Sequence, residues 1–340
     1  MNPSSTDQPI LSVQNLKVHF PISGGVLKRQ VGAVRAVDGV SFDIAPGETL
    51  GLVGESGCGK STLGKAIVRL NDSKEGDIHF EGRNITHMGR GEMRPLRREL
   101  QMIFQDPVES LKARHSVREI IEEPLVIHGM GSPTVRRKRV DELLDRVGLP
   151  ASSADRYPFE FSGGQRQRIG IARAIALNPK LIVCDEPVSA LDVSVQSQVL
   201  NLLLELQRDL KLSYLFIAHN LAVVKHISDR VAVMYLGKIV EMADADVIYS
   251  RPKHAYTKAL LSAIPEPDPT LDRKRILLEG DVPSPVDPPK GSAFGHRIKH
   301  PRYEETVGAD LSLREIEPRH WVAADPCCLE PGDWAKLAGK

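Results

Sequence analysis

The chain has 340 residues, 41% of them apolar, so it can bury one large core or two modest ones and suits an α/β domain. Its formal charge of +1 argues against a nucleic-acid-binding protein that works through a broad basic field. No run approaches the roughly 20 apolar residues that cross a bilayer, and residues 1–8 lack the apolar core of a signal peptide. The four cysteines show no paired spacing, so a reducing cytoplasm fits better than a disulfide framework.

Alternating apolar residues begin the chain. Residues 11–20 and 34–44 both alternate, which predicts two short antiparallel strands. Residues 21–31 between them predict a loop.

Three later runs are almost wholly apolar: residues 48–53, 181–184 and 213–218. Such runs are typical of parallel strands that are covered on both faces. Because ligands of open α/β sheets bind beyond the carboxyl ends of the strands, we expect the residues that follow them to share one site. These residues are Gly54, Asp185 and His219.

About 120 residues of helical character separate the first two of these strands, far more than a crossover needs. We therefore predict an inserted helical subdomain at about residues 92–165. It includes a candidate helix at 117–127, with Pro124 as a candidate interruption, and a helical face at 140–147. The basic run 136–139 favours a solvated helix face, with lipid or partner contact as the alternative.

The second half of the chain predicts a long helix over residues 195–210 and a β-hairpin over 231–242, with Gly237-Lys238 as its turn. From residue 264 onward the chain is rich in proline, which indicates a boundary. We predict one domain over 9–265 and a C-terminal extension over 266–340 that lies apart from the core.

A phosphate-binding loop follows the first buried strand and precedes a helix, which is the context that its pattern requires. Its glycines let backbone N–H groups point at phosphates, and the helix adds its positive end. Lys60 is expected to reach the β- and γ-phosphates, Ser61 to hold Mg²⁺ and Thr62 to contact the α-phosphate. The alternative is a glycine-rich turn. The loop residues are Gly54, Glu55, Ser56, Gly57, Cys58, Gly59, Lys60 and Ser61.

Two adjacent acids end the second buried strand. Asp185 is a candidate to bind Mg²⁺ through water, and Glu186 to orient an attacking water. An Asp-Glu pair is elsewhere more often a helix cap, but the apolar strand before it makes that alternative weaker.

A third motif precedes an apolar-spaced helix about twenty residues before Asp185. Its serine can cap that helix while the two glycines expose N–H groups to an anion. A flexible turn is the alternative, although it does not explain the glutamine or the helix. The motif consists of Ser162, Gly163, Gly164 and Gln165.

This third motif resembles the signature of ABC-type ATPases. The other motifs of that family occur in the family's order along the chain, and the resemblance covers about residues 9–265. The resemblance implies that Gln105 joins Mg²⁺ and the attacking water to the membrane partner, that His219 contacts the γ-phosphate and that Phe20 stacks on adenine. A lone His or Gln is more often structural, and an aromatic residue on a strand is more often core. The family's interface loop matches Ser189, Ala190, Leu191 and Asp192.

The resemblance implies a P-loop NTPase core of the RecA type, with a small antiparallel β-subdomain and the helical insertion. It also implies a head-to-tail dimer, in which each ATP lies between the phosphate loop of one chain and the signature helix of the other. ATP closes the dimer, Glu186 and His219 assist hydrolysis, and loss of the γ-phosphate reopens it. The expected cofactors are ATP and Mg²⁺, the latter with Ser61, Gln105 and Asp185.

Several longer stretches of sequence resemble the peptide, dipeptide and nickel branch of this family, and within it the second of its two different ATPases. These stretches include residues 24–29, 157–165, 254–261 and 281–289. This implies a motor for peptide uptake, with nickel, oligosaccharide or another solute as alternatives. The implied partners are a sister ATPase or a second copy, two permease subunits and, indirectly, an extracytoplasmic binding protein. The implied place is the cytoplasmic face of a bacterial or archaeal membrane, held peripherally.

Members of that branch often carry tail cysteines for an iron–sulfur cluster. This chain has Ser292 at the first of those positions, with His296 and His300 nearby, and the adjacent Cys327 and Cys328 cannot supply four thiolates alone. We therefore predict no cluster.

Three other classes of protein remain as alternatives. A DNA-repair or chromosome ABC ATPase usually needs a long coiled coil or a basic face, and neither occurs here. A ribosome-associated ABC protein resembles two tandem halves, whereas one phosphate loop occurs here. A module that binds ATP without cleaving it is opposed by Glu186 and His219.

Overall fold

The computed structural model describes residues 8–24, 29–106, 110–264, 276, 278 and 280–338. Two compact units make up the chain. The first comprises residues 1–11, 43–49 and 79–217, and the second comprises residues 12–42, 50–78 and 218–340. Among the described helices, none combines the length and the apolar character that crossing a bilayer demands.

The strands of the described residues number twelve. They are β1 (Leu11–Gly24), β2 (Arg29–Ile44), β3 (Thr49–Val53), β4 (Glu75–Phe80), β5 (Arg83–Asn84), β6 (Leu100–Ile103), β7 (Leu181–Asp185), β8 (Ser213–Ala218), β9 (Arg230–Tyr235), β10 (Lys238–Asp244), β11 (Leu313–Glu317) and β12 (His320–Ala323).

Eleven α-helices lie in the same described ranges. They are α1 (Lys60–Ile67), α2 (Arg90–Leu96), α3 (Val117–Ile127), α4 (Pro133–Arg146), α5 (Gly163–Ile175), α6 (Val193–Leu210), α7 (Leu221–Ile227), α8 (Ala245–Ser250), α9 (Ala255–Ser262), α10 (Ala293–Arg297) and α11 (Pro331–Leu337).

The first unit contains a parallel sheet in which β7 lies between β8 and β6. Leu181 is opposite Ser213 of β8 on one side and Leu100 of β6 on the other. Every residue of β7 and β8 is buried, as their almost wholly apolar composition predicts for strands covered on both faces. This packing fixes the carboxyl end of β7, where Asp185 stands.

The stretch before the signature is less helical than predicted. Strand β6 lies inside the range 92–165 that we expected to be helical. The sequence did not predict it, because four residues are too few to show the period of a strand. Helix α3 runs through Pro124 without a break, and is capped by Ser116, whose hydroxyl accepts a hydrogen bond from the N–H of Glu119. The expected interruption at Pro124 is therefore wrong.

In the second unit, β3 runs parallel to β9, and β9 forms an antiparallel hairpin with β10. The two turn residues are Leu236 and Gly237, with φ of 42° and 78°, as a two-residue hairpin turn of the mirror-image type requires. Lys238 pairs with Tyr235 and starts the returning strand. The predicted hairpin is confirmed, but its turn lies one residue earlier than predicted.

Strand β1 lies between β2 and β4 in a second sheet, which confirms the two predicted strands. Both strands are longer than predicted, because β1 continues to Gly24 and β2 begins at Arg29, so the predicted loop over 21–31 is wrong for residues 21–24 and 29–31. Leu11 and Val13 are buried, and the buried phase then moves by one residue to Leu16 and Val18. Asn15, with φ of 46°, lies at this change of phase. An extra residue of this kind is typical of a β-bulge.

The C-terminal part does not lie apart from the core, so that expectation is wrong. Strand β12 pairs with β10, placing Val322 opposite Glu241. The buried Glu241 binds the ring of His320 at 2.8 Å and the N–H of His254 at 3.0 Å. Burial alone would raise the pKa of Glu241, but these and further hydrogen bonds outweigh it and hold the pKa below its usual value.

Three aromatic rings also connect the C-terminal part to the rest of the second unit. Phe294 packs edge-on against Tyr235, with centroids 5.5 Å apart, and lies 5.4 Å from the ring of Tyr256. Upstream, the N–H of Arg35 in β2 donates to the carbonyl of Pro285 at 2.9 Å. The predicted boundary at residues 265 and 266 lies outside the described residues and stays a prediction, as do residues 25–28 of the early loop and Pro107.

Replacing Phe294 by Ala tests this packing. Phe294 is 3% exposed, so the change should lower the free energy of unfolding by about 3–5 kcal/mol. Urea unfolding of the full chain, followed by circular dichroism, measures the loss. Phe159→Ala is the control, because that ring is 69% exposed and its truncation should cost little. Equal midpoints for the two variants would contradict a buried C-terminal core.

Candidate functional site

The phosphate loop runs from the end of β3 to the start of α1, as predicted. Two of its glycines approach other backbone closely. A Cβ on Gly54 would stand 2.1 Å from the carbonyl oxygen of Met234, and one on Gly59 would stand 1.9 Å from that of Ala36. Gly59 also has a φ of 108° and caps α1. Both positions therefore require glycine.

Lys60 lies inside this loop. Its side chain is buried, and Nζ donates to the carbonyl of Gly54 at 2.8 Å and to that of Glu55 at 2.9 Å. Ser61 and Thr62 follow in the first turn of α1, where backbone N–H groups have no intrahelical acceptor. The loop thus combines a cation, hydroxyls and a helix start, which suits a polyphosphate.

The hairpin turn between β9 and β10 supports the same loop. The N–H of Gly237 donates to the carbonyl of Cys58 at 2.9 Å, and the carbonyl of Gly237 accepts from the N–H of Asp38 at 2.9 Å. Burial raises the pKa of the Cys58 thiol. Through its two hydrogen bonds, the turn at Gly237 joins the phosphate loop to β2.

Two residues that contact the loop are missing from the sequence prediction. Arg297 binds both carboxylate oxygens of Glu55, at 2.7 and 3.3 Å, and the hydroxyl of Tyr256 accepts the N–H of Glu55 at 2.9 Å. No spacing pattern could show these contacts, since Arg297 is 242 residues away along the chain.

The first unit holds the acidic pair at the end of β7. Asp185 is 2% exposed, and Glu186 follows with φ of 46°, a conformation that is strained for residues other than glycine. The N–H of Glu186 donates to the carbonyl of Ile217 at 3.0 Å. The structure also brings Gln105 to Glu186, with Nε2 donating to the carboxylate at 3.0 Å.

The signature motif forms the start of α5. Ser162 is the cap: its hydroxyl accepts from the N–H of Gln165 at 3.3 Å, and the Gln165 side chain accepts from the N–H of Ser162 at 3.0 Å. Both residues and Gly163 are exposed at this end of the helix. A Cβ on Gly164 would stand 2.4 Å from the side chain of Val195, so a glycine there lets α5 and α6 pack closely.

The predicted interface loop, residues 189–192, lies between the acidic pair and α6. The hydroxyl of Ser189 donates to the carbonyl of Glu186 at 3.1 Å. Gln196 donates to the carbonyls of Val188 at 3.0 Å and Leu191 at 2.9 Å. Gln196 thereby fixes the loop from within the following helix, a role that the sequence did not indicate.

His219 and Phe20 belong to the second unit, and both are exposed. Phe20 is 41% exposed on β1, which rules out the alternative that it is a core residue. The convergence of Gly54, Asp185 and His219 on one site stays a prediction.

His254 and two residues of the C-terminal part form a buried group with metal-ligand chemistry. His254, Asp325 and Cys328 offer ligand atoms within 4.8 Å of one another, and the hydroxyl of Ser292 donates to Asp325. The Cys328 thiol also donates to Asp325, at 3.1 Å. Burial raises the pKa of Cys327 to about 11 and that of Cys328 well above its usual value, so both remain protonated near neutral pH. A cluster held by four thiolates does not fit this group, which offers one cysteine among its three potential ligands.

Comparison with known proteins gives two family matches. Residues 37–189 match a family described as ABC transporter, and residues 240–301 match one described as the oligopeptide/dipeptide transporter C-terminal region. The oligopeptide transport ATP-binding protein AppF of Bacillus subtilis (strain 168) is 51% identical over 94% of this chain and 98% of its own length.

Two further similarities differ in coverage. The glutathione import ATP-binding protein GsiA of Salmonella paratyphi A is 51% identical over 93% of this chain, which spans 48% of that longer relative. A dimeric, post-hydrolysis structure of the ATP-binding cassette MJ0796 bound to ADP and Pi is 27% identical, with a TM-score of 0.62. It covers 69% of this chain, and this chain covers 98% of it, which confirms the predicted fold class.

Replacing Gly59 by Ala tests the shape of the phosphate loop in the nucleotide-free chain. The side chain would overlap the carbonyl of Ala36 and hold a left-handed φ, so the free energy of unfolding should fall by about 2–5 kcal/mol. Gly57→Ala is the matched control, since Gly57 has φ of 79° but open space around its Cβ position, and should cost about 1–2 kcal/mol. Thermal unfolding compares the variants, and equal losses would refute the close approach at Gly59.

Proposed function

Because this chain belongs to the ABC transporter ATP-binding proteins, we propose that it is the ATP-hydrolysing subunit that powers import of peptides. The chain is an ATPase coupled to transport. AppF, by its name, serves oligopeptide transport, and GsiA glutathione import. These names favour a peptide cargo over the alternatives of nickel or oligosaccharide, and transport over DNA repair or translation.

The phosphate loop is the observation that carries the assignment. Its backbone passes where only glycine fits, and Lys60 is held at its centre by the carbonyls of Gly54 and Glu55. We propose that the β- and γ-phosphates of ATP replace these carbonyls as partners of the Lys60 ammonium. The N–H groups of the loop and of the first turn of α1 then bind the phosphate oxygens, with Thr62 at the α-phosphate and Phe20 stacked on adenine.

Hydrolysis requires a group that orients water. Glu186 is proposed for this role: its backbone is fixed at the end of β7, and Gln105 lies 3.0 Å from its carboxylate. His219 is proposed to contact the γ-phosphate. The Ser61 hydroxyl, the Gln105 amide and the buried Asp185 carboxylate are oxygen ligands of the kind that Mg²⁺ prefers, and a bound Mg²⁺ would neutralise phosphate charge.

We propose that two such chains act head to tail. The exposed start of α5, with Ser162 as its cap, would then bind an ATP held by the partner's phosphate loop, because the N–H groups of a first helical turn favour anions. Residues 189–192 would cross that interface. The proposed partner is a sister ATPase or a second copy of this chain.

An importer also needs a path through the membrane. Membership of this family implies permease subunits, and we propose two of them, contacted through the segment around Gln105. We further propose peripheral attachment at the cytoplasmic face and an extracytoplasmic binding protein that selects the cargo. Domain bounds of 9–265 and 266–340 accompany this proposal.

The absence of an iron–sulfur cluster is also a proposal, and chemical analysis tests it. Protein purified without oxygen should contain far less than one equivalent of iron and of acid-labile sulfide, because the tail has two cysteines where four thiolates are usually required. Stoichiometric iron and sulfide would overturn it.

Replacing Glu186 by Gln tests the catalytic proposal. In the reconstituted transporter we expect ATP binding to be retained, the dimer to stay closed and turnover to fall at least about 100-fold, the contribution that general bases make. Phosphate release and nucleotide retention measure the two effects. Glu205→Gln, an exposed change on α6, is the control and should turn over normally. Normal turnover by the Glu186 variant would refute its role.

A further inference from the structure

We propose that Arg297, in the C-terminal part of the chain, is a positioning residue for ATP. It neutralises Glu55 and holds that residue of the phosphate loop in place. The inference rests on the proposed ATP-binding role of this loop. Arg297 and Glu55 are 242 residues apart in sequence.

The contact has the geometry of a strong ion pair. Arg297 Nη1 lies 2.7 Å from one oxygen of the Glu55 carboxylate, and Nη2 lies 3.3 Å from the other. Its Nε donates to the carbonyl of Gly280 at 3.1 Å, so the guanidinium is held by a third acceptor. The Arg297 side chain is 6% exposed, which limits screening by water and salt.

The backbone of Glu55 is held as well. Its N–H donates to the hydroxyl of the fully buried Tyr256, and its carbonyl accepts from Lys60. Tyr256 packs in turn against Phe294, which is on the same short helix as Arg297. The C-terminal part therefore contacts a loop residue whose carbonyl is also a partner of Lys60.

Charge gives this contact its consequence for ATP. Glu55 carries the only carboxylate between Gly54 and Ser61, in a loop that we propose binds polyphosphate. An unpaired carboxylate there would repel the phosphates and compete for the Lys60 ammonium. Arg297 neutralises the Glu55 carboxylate, while the Lys60 ammonium donates to the backbone carbonyls of Gly54 and Glu55 and to the Cys58 sulfur.

Binding of a fluorescent ATP analogue with Mg²⁺ to the full chain tests the inference. Arg297→Met should raise the Kd about tenfold, equivalent to about 1.4 kcal/mol, and the increase should shrink at high salt because the repulsion is screened. Replacing Glu55 by Gln in the same variant removes the unpaired charge and should recover most of the affinity. A purely structural role for Arg297 predicts no such recovery.

Arg302→Met is the matched control. Arg302 lies five residues further on and pairs with Glu305 at the surface, so its loss should leave the Kd unchanged. Where Arg297→Met does not fold, Arg297→Lys replaces it: it keeps the charge without the two-pronged contact, and a rise in Kd of about threefold, relieved by Glu55→Gln, is expected.

Two outcomes would overturn the inference: a Kd unchanged by the loss of Arg297, or a double variant that binds no better than the single one. Failure of the unaltered chain to bind the analogue would instead refute the proposed function. The two failures are therefore distinguishable in one titration series.

Discussion

The close approach of backbone to backbone at the phosphate loop is the constraint on which the second unit depends. Gly54 passes the carbonyl of Met234, and Gly59 passes that of Ala36, at distances that exclude any Cβ. The loop can keep this course only while β9 and β2 stay where they are. The turn at Gly237 connects them, because it donates to the loop at Cys58 and accepts from β2 at Asp38. A hairpin far along the chain thus fixes where the loop's N–H groups point.

The C-terminal part completes the same arrangement from another side. Strand β12 extends the sheet beyond β10, and the buried Glu241 binds His320 of that strand. The rings of Tyr235, Tyr256 and Phe294 then connect the end of β9 to α9 and α10. Two of these aromatic residues precede residue 265 and one follows it, so the core of the second unit includes residues on both sides of the proline-rich segment.

How much of this the sequence predicts depends on how far apart the interacting residues are. The phosphate loop, the acidic pair and the signature were predictable because each is a local pattern, in which the residue types and their spacing indicate the chemistry. The hairpin was predictable too, but its turn was not, since Gly237 can occupy either central position of a two-residue turn. Strand β12 has only four residues, too few to show a period, and Arg297 finds Glu55 only after the chain has folded.

The partners of Lys60 show why such a distant contact matters to a nucleotide site. Its ammonium is buried and donates to the carbonyls of Gly54 and Glu55 and, at 3.7 Å, to the sulfur of Cys58, rather than to a carboxylate. A phosphate can therefore replace those carbonyls without separating an ion pair. That condition holds only while the nearby Glu55 carboxylate is engaged elsewhere, as it is by Arg297. The charge of Lys60 is available to ATP because Arg297, which lies outside the phosphate-loop pattern, pairs with the neighbouring Glu55 carboxylate.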